Sequence, residues 1–239
     1  MKAWIFVEGL ADKLGLEALW SEWQTRLREE NWAIEIIPLA NKANFLRKLG
    51  ARAAEKLVGG DHDVVVGLPD LYPTFSDAGF RHSDVMSLKA IQRDAVRVSL
   101  REIFRISSAK AVSFMLRFFP SAFRHDFEML LLAAVDDLRK HLGTTKALET
   151  WRVPVEDQDL ERPPKRLVEE LFLTKSSRRR AYRDTKDAPA ILRSVKKDHL
   201  RAVLRTKSGQ WTCPEFVALL KWLGEQTNVP VCDLRDRTK

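Results

Sequence analysis

The sequence predicts an α/β protein: a mostly parallel sheet flanked by helices, with a helical C-terminal extension. Three observations carry that expectation. Short apolar runs rich in β-branched residues alternate with helix-period segments from residue 3 to about residue 142. The run Asp63–Gly67 is nearly all apolar between its ends, as in a parallel strand covered on both faces. Beyond about Thr144 the alternation stops and only helix-period segments follow. The chain therefore divides into an α/β core over 1–143 and a helical, basic region over 144–239 packed on that core.

Ala3 to Val7 reads as the first buried strand, ended by Glu8-Gly9. Asp12 can cap the helix that follows, in which Leu16, Leu19, Trp20, Trp23 and Leu27 share one face. That spacing marks the two tryptophans as core residues. Ala33 to Ile37 is a second strand, stopped by Pro38. Phe45, Leu46, Leu49, Ala53 and Leu57 define a helix closed by Gly59-Gly60. Asp63 to Gly67 is a third strand, and the prolines of Pro69-Asp70-Leu71-Tyr72-Pro73 force a loop. A long helix is predicted from about Asp84 to Ile106, a fourth strand over Ala111–Leu116, and Asp126 to Ala134 begins a further helix. Thr150 to Pro164 reads as a connecting loop. Three helices follow, at about 163–174, 188–204 and 214–226, and the polar residues 233–239 are expected to fray.

The chain is 45% hydrophobic and 31% charged, which excludes a disordered polymer. Its apolar runs fall short of the roughly 18 residues a membrane span needs. An acid at position 8 comes too early for a secretory signal peptide. Two cysteines make no disulfide framework, no Cys/His cluster has zinc spacing, and a cytoplasmic location is the default. The net charge of +8 is concentrated: Arg162–Lys207 holds 15 Lys/Arg against 5 Asp/Glu, leaving 26 against 28 elsewhere. A second basic stretch, Arg81–Arg124, has 9 basic and 3 acidic residues. Clustering of this kind points to an anionic partner, with a solvated surface as the bland alternative.

Ligand sites of α/β sheets lie beyond the carboxyl ends of the strands. Glu8 ends the first strand, Asp70 follows the third, and Asp12 lies one turn beyond Glu8. Three carboxylates at one rim are hard oxygen ligands suited to Mg²⁺ or Mn²⁺. The plainer alternative makes Asp12 a helix cap and the other two solvated loop acids. His125 could shuttle a proton or touch a phosphate, or pack at a helix start. Lys89, Arg93, Arg97, Arg101 and Arg105 recur every fourth residue, and each step gains about 40° on a full turn, so the row spirals. Such a spiral suits a phosphate backbone or ion pairs with acids. No Gly-rich phosphate loop is present.

The opening Val7-Glu8-Gly9-Leu10-Ala11-Asp12-Lys13 resembles the strand, Glu-Gly, then acid start of Toprim domains, as in topoisomerases, primases and OLD-family nucleases. Gly67-Leu68-Pro69-Asp70-Leu71-Tyr72, Arg124-His125-Asp126-Phe127-Glu128, Pro164-Lys165-Arg166-Leu167 and Cys213-Pro214-Glu215-Phe216 with Trp222-Leu223 are similar to the landmarks of one branch. That branch is a bacterial family of unknown function with a Toprim-like core. Its members are often found beside AAA or ABC-type ATPase genes in phage-defence and mobile-element settings.

The resemblance implies a Toprim-like (Rossmann-like) sheet with a metal site at Glu8 and Asp70, to which the spacing adds Asp12. Glu8, Asp70 and Glu128 are the implied catalytic residues. Tyr72 stands where Toprim enzymes carry a second acid, which leaves a one-metal site, with Glu128 a candidate to make good the loss. Lys13, Arg93, Arg97, Arg101, Lys165, Arg166 and the Arg178-Arg179-Arg180 run are the candidate nucleic-acid contacts. Together these imply a Mg²⁺- or Mn²⁺-dependent phosphodiesterase or nuclease acting on DNA or RNA. The alternative is a non-catalytic Toprim-like subunit that binds nucleic acid or docks on an AAA/ABC-type ATPase.

Overall fold

A computed structural model describes residues 1–76, 79–148, 151–206 and 208–234. Of residues 233–239, expected to fray, Asp233 is held by Arg201 and Leu234 is buried, and 235–239 lie outside the described residues. The elements run β1 (Lys2–Val7), α1 (Leu10–Leu19), α2 (Ser21–Glu29), β2 (Ala33–Pro38), α3 (Lys42–Gly59), β3 (Val64–Leu68), α4 (Val85–Glu102), α5 (Ser108–Met115) and β4 (Phe118–Pro120). They continue with α6 (Met129–Ala133), α7 (Val135–Leu142), α8 (Pro164–Thr174), α9 (Asp184–Ser194), α10 (Lys197–Leu204) and α11 (Pro214–Thr227). The chain forms two compact units: Met1–Lys13 with Arg26–Arg124, and Leu14–Thr25 with His125–Lys239.

The first unit holds a four-stranded, all-parallel sheet in the order β2-β1-β3-β4, a Rossmann-like arrangement flanked by helices. β1 and β3 are buried along nearly their whole length, as uniformly apolar runs require. Phe6, Val65 and Phe118 join Phe45, Leu49 and Leu100 in one apolar core. Burial of each such side chain contributes about 1.5–3 kcal/mol before entropy is charged. The helix α3 packs closely on α4 because Gly50 leaves room: a Cβ there would lie 2.6 Å from the Ala95 carbonyl oxygen. A reciprocal capping box of Asp84 and Ser87 starts α4.

One predicted strand is a helix. Ala111–Leu116 falls on α5 and its C-terminal cap, and the fourth strand is Phe118–Pro120 instead. Ser107 caps α5 by accepting the Lys110 N–H, and Ala111 and Phe114 bury at helical spacing while Val112 stays exposed. A run of six apolar or small residues does not separate the two periods by itself. The Arg117 guanidinium then donates to the carbonyls of Leu57, Gly60 and Asp63, closing the C-terminal end of α3 with a cation.

The second unit is helical. Trp20 and Trp23 meet edge to face at 5.7 Å, Trp20 stacks on Phe216, and the Trp23 indole donates to the Val229 carbonyl. Both tryptophans are core residues, as their spacing predicts. The single helix expected from Leu16 to Leu27 is divided at Trp20. Residues 126–128 form a turn, so regular helix starts at Met129 rather than Asp126. The helix expected over 188–204 is two, α9 and α10, parted at Val195-Lys196, with α9 starting already at Asp184. Among the described residues no helix is long and apolar enough to cross a membrane.

Candidate functional site

The chain leaves β1 for β2 on one side and returns past it to β3 on the other. The crevice between β1 and β3 is therefore the topological switch point of the sheet, where ligands of open α/β folds bind. Val7 pairs with Leu68 at the end of the ladder, so Glu8 and Asp70 emerge side by side. The loop after β3 stays extended, because Leu71 N–H donates to the Phe123 carbonyl and Phe123 N–H to that of Pro69. That ladder fixes Asp70 at the rim. Its main-chain N–H donates to Glu8 Oε1 at 3.1 Å.

Asp12 lies at the third position of α1, and its Oδ2 accepts the Gly9 N–H at 2.8 Å. The Gly9 carbonyl in turn accepts the Lys13 N–H. This is the reaching-back half of a capping box, so Asp12 stabilises the helix start from within the first turn. It is also a neighbour of Glu8, and its charge raises the Glu8 pKa. Glu8 thus meets the Asp12 charge and the Asp70 main chain at one rim.

The sequence reading missed Lys42. It opens α3, next to the carboxyl end of β2, and is 4% exposed. Its Nζ donates to the carbonyls of Asp70 and Leu71, each at 2.5 Å. Burial pushes Glu8 up to about 7, against the pull of the Lys42 charge. Burial likewise lowers Lys42 to about 8, against the pull of Glu8 and Asp70. One signal was available in the sequence: a lysine in the first turn sits against the helix dipole, a local rule broken at a sheet rim. Among the described residues no group of three or more His, Cys, Asp or Glu is gathered so as to hold a metal ion.

Glu128 belongs to the second unit and has its own surroundings. It is 3% exposed, accepts the Tyr182 hydroxyl at 3.3 Å and lies 3.9 Å from Lys165 Nζ. Asp126 accepts the Lys165 main-chain N–H in the first turn of α8, and burial pushes its carboxyl up to about 6. His125 is buried. Lys165 also pairs with Asp184 at 3.4 Å.

The candidate nucleic-acid contacts divide. Arg180 is held by two 2.6 Å hydrogen bonds to the buried Asp187 and lies over the Phe172 ring. Arg166 pairs with Glu170. Arg178 and Arg179 are exposed, and Lys13 is half-buried on α1. Arg93, Arg97 and Arg101 line a groove of about 300 Å³ with residues of α5.

Set against known families, residues 8–223 match the profile of one described as a domain of unknown function, DUF4276. No curated protein and no solved structure matches the chain.

Proposed function

We propose a function from one premise: the chain belongs to the DUF4276 family of unknown function. The protein is a Toprim-like, metal-dependent phosphodiesterase that cleaves nucleic acid. The observation that carries this is the meeting of Glu8 and Asp70 at the switch point between β1 and β3.

The donor chemistry suits one hard cation. Mg²⁺ and Mn²⁺ need only one or two carboxylates when substrate phosphates and water complete the shell. Glu8 and Asp12 repel each other, so a cation beside them relieves that repulsion. Glu8 and Asp70 would supply carboxylates to the ion, with water and substrate phosphate completing its shell because the three acids are not gathered as one ligand set. The ion would polarise a phosphate and make a bound water acidic. Lys42 pins the Asp70–Leu71 main chain and keeps the rim in one geometry. The exposed Arg178 and Arg179 supply charge for the phosphate backbone, with no sequence preference. The Toprim resemblance of the Glu8–Asp12 stretch directs the choice to DNA or RNA and to a bacterial defence or mobile-element role.

The test is incubation of plasmid, single-stranded DNA and RNA with Mg²⁺ or Mn²⁺. Cleavage is expected, and it is expected to fall at least 100-fold in Glu8→Gln and in Asp70→Asn. Activity that persists in both variants removes the site.

A non-catalytic subunit that binds nucleic acid or docks on an ATPase is the second reading. It is favoured by the buried Lys42 ammonium, which already places a positive charge among the acids. Calorimetry separates the two: no uptake of millimolar Mn²⁺ by the wild type selects the binding module.

A further inference from the structure

We infer that the groove between α4 and α5 is a docking site for an acidic amphipathic helix of a partner protein. Arg93, Arg97 and Arg101 form one wall, and Ala111, Val112 and Met115 of α5 form an apolar floor. Of the large hydrophobic side chains exposed among the described residues, Val112 lines the groove and Leu116 is the C-terminal cap of α5. Val112 is 65% exposed and Leu116 72%. An exposed aliphatic side chain on the floor of a groove suits an interaction surface.

The composition suits a protein partner. Every cation of the wall is arginine, the residue enriched in protein interfaces, whereas lysine is depleted there. Arg97 pairs with Asp94, while Arg93 and Arg101 make no ion pair with a described residue. A partner therefore needs acids to meet them. The floor is aliphatic and holds no aromatic ring on which a base could stack. The neighbouring Phe114 is buried, with the Lys110 and Arg117 cations over its ring.

A helix fits the length of the row. Each four-residue step along α4 rises about 6 Å, so the three arginines span about 12 Å, the length of two to three turns. A facing helix with acids at four-residue spacing and leucines on the adjoining stripe satisfies wall and floor together. This surface is independent of the Glu8–Asp70 rim, and so is its test.

The probe is an 18-residue synthetic peptide with glutamates at four-residue spacing and leucines on the adjoining face. A scrambled peptide of the same composition and an 18-nucleotide single strand serve as comparisons, all added to the full chain. Methyl resonances of Val112 and Met115 are expected to shift with the amphipathic peptide. The scrambled peptide is expected to bind at least tenfold more weakly, as is the amphipathic one to Arg97→Glu/Arg101→Glu and to Val112→Asp. These substitutions alter exposed positions and leave the fold intact. Equal binding of the two peptides reduces the groove to bare charge and overturns the proposal. So does an oligonucleotide that moves these methyls while the peptide does not. A wild-type dimer in sedimentation that Val112→Asp dissolves overturns it as well, in favour of a second copy.

Discussion

The Asp70 main-chain N–H donates to Glu8 Oε1, joining positions 62 residues apart in the chain. Lys42 secures the same junction from the third side, through the carbonyls of Asp70 and Leu71. Three strand ends thereby share one polar cluster. Each charge in it is costly to bury alone and is offset by its neighbours.

Removing the ammonium exposes that dependence. Lys42→Met strips a donor from two carbonyls and leaves Glu8 without its cation. The expected loss is about 2 kcal/mol of unfolding free energy, the scale for leaving buried carbonyls without their charged donor. Urea denaturation of the wild type, Lys42→Met, Glu8→Gln and the double variant measures it. The double variant is expected to lose less than the sum of the two single losses. Strict additivity means that Glu8 and Lys42 do not interact.

The acids of this rim were legible because a strand followed by Glu-Gly, and an acid after a Val-rich strand, place side chains by topology alone. Lys42 was not, because its role depends on the carbonyl groups of a loop 28 residues away. The fourth strand was misplaced for a similar reason. Nothing local in Ala111–Leu116 distinguishes helix from strand, and pairing of Phe118 with Val65 decides it. Glu128 shows a different limit: order along the chain cannot reveal that its partners are Tyr182 and Lys165.

The same pair sets a pH dependence of stability in the metal-free protein. Glu8 goes up from 4.5 to about 7 on folding, so the folded state binds its proton more tightly. Its contribution is full below pH 4.5 and is lost as pH rises through 7. Lys42 comes down from 10.5 to about 8, so its contribution is full above 10.5 and is lost as pH falls through 8. Between 7 and 8 both groups are charged and the pair contributes least. In EDTA, wild type is expected to lose stability relative to Glu8→Gln as pH goes from 5 to 7. A difference that grows in favour of wild type over that range rejects the buried acid.

The arginine triplet is predicted to split by role. Arg178→Ala/Arg179→Ala removes two exposed charges and should leave the melting temperature within a degree or two. The same change should reduce the salt dependence of nucleic-acid binding by about two phosphate contacts. Arg180→Ala should do the opposite, because Asp187 is then left buried beside a weaker partner, Arg183, at 3.6 Å. Burial of Asp187 opposes its charge, yet the Arg180 hydrogen bonds and the Arg183 N–H hold it at about 2. Filter binding across a salt series, with thermal melts alongside, checks both halves. Equal effects of the three arginines on binding and on melting would contradict the split.

Glu156 gives the sharpest stability test in the second unit. It is 1% exposed, and its carboxylate accepts the Glu215 N–H at 3.1 Å and the Phe216 N–H at 3.3 Å. These are first-turn donors of α11, whose Pro214 lacks an N–H and whose Cys213 makes no side-chain cap. The missing cap is thus supplied from 59 residues away, on an anion that also suits the helix dipole. Glu156→Ala leaves buried donors unsatisfied and is expected to cost about 2 kcal/mol. Glu156→Gln keeps an acceptor but loses the charge and should cost roughly half as much. Urea midpoints report the losses, and slowed amide exchange at Glu215 and Phe216 in wild type, accelerated in Glu156→Ala, locates them. Unchanged exchange at those two amides, with a lower midpoint, would place the effect in packing rather than in the cap.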